Sequence, residues 1–315
     1  MKKTLCLFAI ALLAISFNSC SKDDNGDEWI VDDTPIQFED PNFLKALLQG
    51  RDVDGRPINV DTNNDGQISR KEAAQVKSLG VYNCSIRNMD EIKYFTALEY
   101  LACGDNYITS LDVSNNKALK ELYCTYNRNL TSLNAKNCTA LVKLRCDQFG
   151  ELSRGNMTSL DISGCTALEE LECQFNELTS LDVSTNTALK GLWCFENQLT
   201  SINVSNCIAL EELSCSNNKL TSLDVSKNTA LKVLSISHNQ LTSIDLSKNT
   251  ALKELFYYDG DITELDLSKN KQLDKLYISS ESLTLLYLYK YHNFTGEEID
   301  QIKRNCPNAL IYYVE

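Results

Sequence analysis

Oxygen-bearing side chains recur at alternate positions of one short segment, residues 61–72, which reads DTNNDGQISRKE. Carboxylate, amide and hydroxyl oxygens at this spacing are the ligands that a hard divalent cation prefers. Gly66 lies in the middle of the segment, where it permits the sharp turn that such a site needs. The segment therefore indicates cation binding.

The segment matches the calcium-loop pattern of EF-hand proteins, D-x-[DN]-x-[DN]-G-x5-E, at every specified position. With one such loop, we expect a single structural Ca²⁺ that fixes the N-terminal end of the fold, not a sensor that opens. A solvated acidic turn is the alternative. The resemblance implies that Gln67 binds through its carbonyl, Ser69 through its hydroxyl or a water, and Glu72 through both carboxylate oxygens, with side-chain oxygens from Asp61, Asn63 and Asp65.

Few other residues have the types that catalysis commonly uses. The sequence has two histidines, His238 and His292, and no Cys-x-x-Cys pair, so neither a Cys-His nucleophile nor a cysteine-rich metal cluster is expected. Glu172 and Glu196 are a carboxylate pair of the kind that glycosidases use, although such charges are usually only solvated. We therefore predict that the protein is not an enzyme, and a glycan-active enzyme is the less favoured alternative.

The first twenty residues have the features of an export signal. Two lysines precede the apolar run LCLFAIALLAI, which is too short to cross a bilayer. The following FNSC resembles a bacterial lipobox, which implies that Cys20 is acylated. The next residues, SKDD, resemble the surface-export signal of Gram-negative lipoproteins. These resemblances imply a surface-exposed outer-membrane lipoprotein of a Gram-negative bacterium, anchored by lipid alone; ordinary secretion is the alternative.

The charge of the chain is acidic and unevenly distributed. The 315 residues include 43 acidic and 30 basic side chains, which argues against a nucleic-acid partner because phosphate binding needs a clustered basic face. Six acidic residues and one lysine lie between residues 21 and 33, a composition typical of a solvated tether. We assign residues 1–19 to a signal peptide and residues 20–34 to a lipidated, acidic tether.

A recurring leucine sets a period of about 21 residues over most of the chain. The best-kept copies read L-x-x-L-x-C-x-x-N-x-L followed by T-S-L-D-V-S-x-N-T-A. A fixed period near twenty indicates a solenoid. The nine copies begin at Leu98, Leu119, Leu141, Leu168, Leu189, Leu210, Leu231, Leu252 and Leu273.

This pattern resembles that of leucine-rich repeat proteins. The resemblance implies a β-rich solenoid of about ten coils, with short parallel strands and little helix in the repeats. Apolar residues alternate at period two in both halves of each copy, which predicts two short strands or extended segments per coil. We assign residues 76–293 to the solenoid, and its first coil resembles the more helical repeat of internalins.

Both ends of the solenoid are predicted to carry caps. Asp40 followed by proline and an apolar stripe predicts a helix in the N-terminal cap, residues 35–75. Thr295 and Glu298 predict a capping box at the start of a helix in the C-terminal cap, residues 294–315, whose last residues are expected to add a strand. The two caps are expected to protect the open edges of the solenoid.

Asparagine and cysteine occupy fixed places in each copy. Asn ends most halves, where we expect its left-handed or turn geometry and its amide hydrogen bonds to replace glycine. Six cysteines take an inward strand position and are predicted to form a ladder of buried free thiols, because parallel in-register neighbours fit a disulfide poorly. A disulfide framework is the alternative. The six are Cys103, Cys124, Cys146, Cys173, Cys194 and Cys215.

The two outward surfaces of the solenoid are predicted to differ. The second half of each copy presents Asp or Asn at one outward position almost throughout, which we interpret as scaffold; a row of cation ligands is the alternative. The first half presents two outward columns of varied residues, both expected in water, with two aromatic groups on either side of a serine floor. Such aromatic side chains anchor protein contacts and stack on sugars. The predicted ligand face contains Arg145 and Glu172, one aromatic group of Tyr123, Trp193 and Phe195, and another of Phe256, Tyr258 and Tyr277.

Together these patterns predict a cell-surface binding or adhesion protein without catalytic activity. Its predicted partner is a protein or a glycan, and its predicted membrane contact is the N-terminal lipid. Stacked aromatic side chains that only stabilise neighbouring strands are the alternative for the face. A structural envelope protein without a dedicated ligand is the alternative for the whole chain.

Overall fold

Every coil of the solenoid contributes a strand to one long parallel sheet. The computed structural model describes residues 31–148 and 154–315; the predicted signal peptide, Cys20 and most of the tether lie outside the described residues. The long sheet contains β1 (Ser78–Gly80), β2 (Tyr100–Ala102), β4 (Glu121–Tyr123), β6 (Lys143–Arg145), β8 (Glu170–Glu172), β9 (Gly191–Trp193), β10 (Glu212–Ser214), β11 (Val233–Ser235), β12 (Glu254–Tyr258) and β14 (Lys275–Ser279). Two three-stranded sheets contain β3 (Ser110–Asp112), β5 (Ser132–Asn134) and β7 (Ser159–Asp161), and β13 (Glu264–Leu267), β15 (Leu285–Tyr289) and β16 (Leu310–Val314).

The strands of the long sheet pair in register, in the order β1-β2-β4-β6-β8-β9-β10-β11-β12-β14. Leu192 pairs with Leu171 on one side and with Leu213 on the other, so identical leucines stack through the core. In the coils between the two shorter sheets, the second half is buried at the same apolar positions, such as Val183, but forms no strand. The predicted solenoid of short parallel strands and extended segments is confirmed.

The six cysteines of the inward column are fully buried, as predicted. All eleven cysteines within the described residues are free thiols. The thiol of Cys146 donates to the Glu172 carbonyl of the next coil at 3.4 Å. Burial raises the pKa of Cys103 and Cys215 to about 12, so these thiols are not nucleophilic at neutral pH.

The left-handed residue of each coil is not the asparagine that we predicted. The asparagines act through their amides: Asn197 Nδ2 donates to the Cys173 and Cys194 carbonyls, both at 3.1 Å, and its Oδ1 accepts from Leu178 N at 3.0 Å. The positive φ falls on the preceding residue, whose side chain is exposed or half-buried, so the turn restricts its identity little. These residues are Asp105, Tyr126, Phe175, Glu196, Asn217, His238 and Asp259.

One coil departs from the ladder and compensates for the departure. Tyr257 takes the inward place that cysteine has in most coils and is buried, while Gly260 stands where most coils have asparagine. The Tyr257 hydroxyl accepts from Ile262 N at 2.8 Å. A Cβ atom at Gly260 would overlap the Tyr257 ring. The tyrosine therefore fills the space of the asparagine as well as that of the thiol.

The N-terminal cap contains two helices. Helix α1 (Pro41–Gln49) begins after Asp40, whose carboxylate accepts from Asn42 N at 2.8 Å, as predicted. The predicted calcium loop ends in a helix of only one turn, α2 (Arg70–Ala73), and a 3-10 helix (Asp90–Tyr94) lies in the first coil. Within the described residues no helix is long and apolar enough to span a membrane.

The C-terminal cap covers one sheet edge and leaves another open. Helix α3 (Gly296–Asn305) begins with the predicted capping box and lies on β14, where Asn305 Nδ2 donates to the Ile278 carbonyl at 3.1 Å. The predicted last strand is β16, which pairs with β15. The expectation that both caps protect all edges is wrong here, because β16 ends its sheet with Leu310, Tyr312 and Tyr313 exposed.

Candidate binding face

All eight residues predicted for the ligand face lie on the outer surface of the long sheet. The strand alternation produces this arrangement, because Leu192 and Cys194 point into the core while Trp193 and Phe195 point outward. We call the outer surface of β4, β6, β8 to β12 and β14 the variable face. Its predicted residues are half-buried, except Arg145 and Tyr277, which are exposed.

The second outward column is less exposed than we predicted. In five coils its residue is buried and closes the surface between neighbouring strands. The buried members are Gly104, Asp147, Gln174, Ser216 and Ser237.

The first part of the variable face is a chain of polar contacts. The Tyr123 hydroxyl bonds the Glu121 carboxylate, and burial together with this bond raises the pKa of Tyr123 to about 12. Arg145 lies 5.9 Å from the centre of the Tyr123 ring and forms an ion pair with Glu172 at 2.9 Å. Tyr123 and Trp193 therefore do not form one aromatic group, since the strands of Arg145 and Glu172 lie between them.

Trp193 lies over its own strand on a space left by Gly191. A Cβ atom at Gly191 would overlap the six-membered ring of the indole, so only glycine permits this position. The other strands of the long sheet carry larger side chains at this position, such as Glu170 and Glu212 on either side. Gly191 is therefore a positioning residue that sequence reasoning missed; its signal was a single glycine in a column of larger side chains.

Serine hydroxyls form the floor beside Trp193, as predicted. Ser216 Oγ and Ser235 Oγ lie 2.7 Å apart, and Ser237 Oγ accepts from Tyr258 N at 3.0 Å. Two strands, β10 and β11, separate Trp193 from the next aromatic side chain, Phe256. The floor is therefore a shallow polar strip, about 14 Å between its aromatic borders at ordinary strand spacing.

The second aromatic group borders a cleft that the sequence did not reveal. The Phe256 and Tyr277 rings stack with centroids 4.6 Å apart and an interplanar angle of 10°. Tyr258 and Tyr277 line a cleft of about 170 Å³ whose other wall is α3, including Gln301 and Ile302. Burial and the neighbouring Tyr277 raise the pKa of Tyr258. The C-terminal cap thus borders the variable face.

The opposite surface, formed by the second halves, uses its carboxylates locally. Asp182 Oδ1 accepts from Ser184 N at 2.9 Å, and Asp224 and Asp245 make the same bond two residues on. These bonds to serine lower the pKa of all three carboxyls. Each carboxylate therefore closes its own turn, which supports the scaffold interpretation. We call this surface the uniform face.

The predicted calcium loop is closed by its own hydrogen bonds. Asp61 accepts from Asp65 N at 3.2 Å and from Gly66 N at 2.9 Å. The φ angles of Asn64 and Gly66 are 58° and 79°, which is the turn that such a loop requires. The side chains of Asn63 and Asp65 bond each other at 2.9 Å. Gln67 N also donates to the Asp65 carboxylate, at 2.8 Å.

Glu72 closes the same loop from its other end. Its Oε1 accepts from Thr62 N at 2.7 Å and its Oε2 from Ser69 N at 2.9 Å. Burial favours the neutral form of Glu72, but these bonds outweigh burial and lower its pKa to about 2. Its side chain also lines a cleft of about 410 Å³ between the cap and the first coil.

The donor types and the turn of this loop fit Ca²⁺. However, Asp61, Asp65 and Glu72 do not converge into a metal-binding group within the described residues. Glu72 would have to exchange hydrogen bonds from Thr62 and Ser69 for the ion. The residue types of the loop therefore fit Ca²⁺, whereas the carboxylates are not yet arranged around one point.

The residues considered for catalysis are separated or paired. Cys215 is buried and His238 is exposed, so they form no dyad. Glu172 is in an ion pair with Arg145, and Glu196 with Arg154. Each carboxylate is therefore paired with an arginine and not with the other carboxylate.

Comparisons with known proteins support the fold. No protein-family model matches this chain, and no curated protein matches it at a significant level. Among solved structures, the leucine-rich repeat domain of APL1 is 23% identical with a TM-score of 0.56, over 82% of this chain and 72% of that one.

Two structures from Listeria monocytogenes are also similar. The functional domain of InlJ, described as including a cysteine ladder, is 28% identical over 90% of this chain and 72% of that one, with a TM-score of 0.42. The internalin InlF is 20% identical over 88% of this chain and 96% of that one, with a TM-score of 0.45. The similarity to APL1 and the strand order agree: the chain folds as a leucine-rich-repeat solenoid of short parallel strands with little helix.

Proposed function

We propose that this chain is a non-catalytic binding protein whose ligand lies on the variable face. The observation that carries the proposal is the contrast between the two outer surfaces of the same coils. Solenoid stability requires the inward residues, but it does not require outward aromatic side chains that change from coil to coil. Clustered, half-exposed aromatic side chains are typical anchors of ligand contacts.

The chemistry of the face fits a protein or a glycan ligand. Trp193 and Phe256 offer ring surfaces, and the serine hydroxyls between them offer hydrogen bonds without charge. The Arg145–Glu172 pair adds a charged border on one side. Both ligand classes use such a combination of rings and polar groups, so the experiment should present both.

An array of proteins and glycans probed with residues 21–315 tests the proposal. We expect a specific ligand whose affinity falls at least tenfold in the double variant Trp193→Ala/Tyr258→Ala. The matched control is Tyr107→Ala, which removes a 53% exposed tyrosine in the turn after β2. Unchanged binding by the double variant would assign the ligand to another surface. Turnover of any bound glycan would instead favour the enzyme alternative, and the absence of any ligand would favour a structural envelope protein.

The proposed location is the outer face of a Gram-negative outer membrane, with the lipid on Cys20 as anchor. Its support is the sequence alone: the export signal, the lipobox-like FNSC and the acidic residues that follow. We expect the full chain to fractionate with membranes and to be digested by protease added to intact cells. Cys20→Ala should release it into the soluble fraction. Membrane association of that variant would contradict lipid anchoring.

We also propose one structural Ca²⁺ in the N-terminal cap, held by the loop of residues 61–72. The support is the donor set and the left-handed turn at Asn64 and Gly66. The ion would bind the negatively charged carboxylates of Asp61, Asp65 and Glu72 together and reduce their mutual repulsion. At ten times its dissociation constant it would stabilise the fold by about 1.4 kcal/mol.

Thermal melting with and without EGTA tests the calcium proposal. We expect EGTA to lower the Tm of the wild type and to leave Asp65→Asn unchanged, because that variant keeps a hydrogen-bond acceptor but loses the charge. Glu72→Gln should lose the response as well, and it should also melt lower because Glu72 caps α2. A wild-type Tm that ignores both EGTA and added Ca²⁺ would leave the solvated turn as the correct interpretation.

A further inference from the structure

The three sheets of the described residues have six terminal strands, and five of these lie against other parts of the chain. The N-terminal cap lies on β1, where Gly80 N donates to the Arg51 carbonyl at 2.8 Å. The 3-10 helix of the first coil lies beside β3. Helix α3 lies on β14, where Ser280 N donates to the Asn305 carbonyl at 3.1 Å. Strands β7 and β13 lie beside the second halves of neighbouring coils, to which asparagine side chains join them. The remaining terminal strand is β16.

The open strand lacks two common features that prevent edges from associating, a charge and a proline. Its sequence, LIYYV, contains no charge and no proline, and natural edge strands usually carry one or the other. Leu310 is 60% exposed, Tyr312 46% and Tyr313 50%. Tyr291, which follows the neighbouring strand, is 66% exposed. Three of the exposed large apolar side chains of the described residues therefore lie on one unpaired edge strand.

The main chain of β16 has hydrogen-bonding groups at a defined spacing along its open edge. Leu310 N donates to the Thr284 carbonyl at 2.8 Å, and the Val314 carbonyl accepts from Lys290 N at 2.7 Å. Main-chain groups of a strand face alternate sides. Those of Ile311 and Tyr313 therefore face away from β15, toward solvent.

This spacing is complementary to itself. In an antiparallel pair with a two-fold axis through Tyr312, Ile311 lies opposite Tyr313 of a second copy, and Tyr313 lies opposite its Ile311. The two pairs would exchange four main-chain hydrogen bonds. The two Tyr312 side chains, on the outer surface, would meet at the axis. Beside the strand, Lys290 Nζ forms an ion pair with the Glu315 carboxylate at 2.6 Å.

We propose that β16 is a homodimerisation edge, at which two copies of this chain pair antiparallel into one continuous six-stranded sheet. A second copy is the favoured occupant because every copy brings the same free groups in the same register. The strand is short, so the interface is below the standard size and the dimer should be weak and concentration-dependent. Because β16 is at the C-terminal end, the N-terminal caps lie at opposite ends of the dimer; with the proposed anchor at Cys20, such a dimer would join two opposed membranes.

Sedimentation velocity of residues 21–315, from low to high micromolar concentration, tests the proposal. We expect a monomer–dimer equilibrium for the wild type. Tyr312→Lys should weaken it at least tenfold, because like charges would face each other at the axis. Tyr313→Pro should also weaken it, since it removes only an N–H that faces the open edge. Tyr107→Lys is the matched control and should dimerise like the wild type.

Oxidative cross-linking tests the register. Tyr312→Cys should form a disulfide-linked dimer, because directly opposite residues of a non-hydrogen-bonded pair are close enough for a disulfide. Tyr107→Cys should not, and the buried native thiols should not react. A wild type that stays monomeric, or a dimer that both edge variants leave intact, would overturn the proposal. Either result leaves ligand binding untouched, because the variable face belongs to the other sheet; circular dichroism of each variant checks its folding.

Discussion

The two halves of each coil bury the same kinds of apolar residue but use their outer surfaces differently. The first half forms a continuous ladder and carries Trp193, Phe256 and Tyr277 on its outer surface. The second half forms strands only near the two ends of the solenoid. Its outward carboxylates, such as that of Asp224, accept hydrogen bonds from the turns that follow them. In a repeated scaffold, the outward residues of one surface can therefore differ from coil to coil, provided that those of the other surface keep the hydrogen bonds that close the turns.

The same contrast appears in the two asparagine ladders. Asn197 of the first half donates to three carbonyls and accepts from Leu178 N. Asn228 of the second half donates to two carbonyls, and its Oδ1 has no hydrogen-bond partner among the described residues. The first ladder therefore satisfies more main-chain groups per asparagine, and we expect it to contribute more stability.

The largest expected effect is the loss of an asparagine from the first ladder. Asn197→Ala leaves buried carbonyls and one N–H without partners, so we expect the free energy of unfolding to fall by about 3 kcal/mol. Asn228→Ala should cost about 1.5 kcal/mol, because fewer groups lose a partner. Urea unfolding followed by circular dichroism measures both, with the exposed Asn206→Ala as control. Equal losses would show that the two ladders do not differ.

The next effect concerns the coil in which tyrosine replaces both ladder residues. Tyr257→Phe leaves Ile262 N buried without its acceptor, so we expect a loss of about 2 kcal/mol in urea unfolding. The double variant Tyr257→Cys/Gly260→Asn restores the residues of the other coils and should recover most of this loss. A double variant no better than Tyr257→Phe would mean that the tyrosine does not substitute for the ladder.

A smaller effect is expected on the variable face, without a change in the fold. Gly191→Glu gives this strand the residue of its neighbours, but its side chain needs the space that the Trp193 indole occupies. We expect ligand affinity to fall about tenfold, which is about 1.4 kcal/mol, with little change in Tm. Tryptophan fluorescence reports the displacement, because Trp29 is the only other tryptophan. Glu212→Gly on the next strand is the matched control and should keep the affinity.

The smallest effect is expected on the uniform face at low pH. The folded-state pKa values of Asp182, Asp224 and Asp245 lie below the ordinary value of 3.8. Their contribution to stability is therefore complete above that value and is lost as the pH falls through the lower, folded-state values. We expect Tm to be flat near neutral pH and to decline below about pH 4. Asp224→Asn keeps the acceptor and should make the decline slightly shallower; a steeper decline would contradict this assignment.

Much of the fold was predictable because every repeat has the same pattern of inward apolar and outward residues. Leu192 and Cys194 were predicted inward from alternation alone, and both are buried. The capping boxes and the first helix were predictable because their hydrogen bonds join residues close in sequence, as Thr295 and Glu298 do. The aromatic side chains of the variable face were predictable as outward for the same reason.

Other features depended on single residues that the repeat does not specify. The left-handed residue was assigned to asparagine because asparagine is conspicuous, whereas the backbone places it one residue earlier, at Glu196 in that coil. The role of Gly191 depends on the direction in which one indole turns. The wall that α3 adds to the cleft beside Tyr258 joins segments that no local pattern connects.

The sequence by itself determined the solenoid, its inward residues, the position of its caps and the contrast between the two outer faces, because these follow from a period that local spacing sets. Only the tertiary structure decided which outward residues are covered, that Tyr123 and Trp193 are separated by an ion pair, and that β16 is left open. These properties depend on the distances between neighbouring coils and between the coils and the caps. The sequence of a single repeat does not determine those distances.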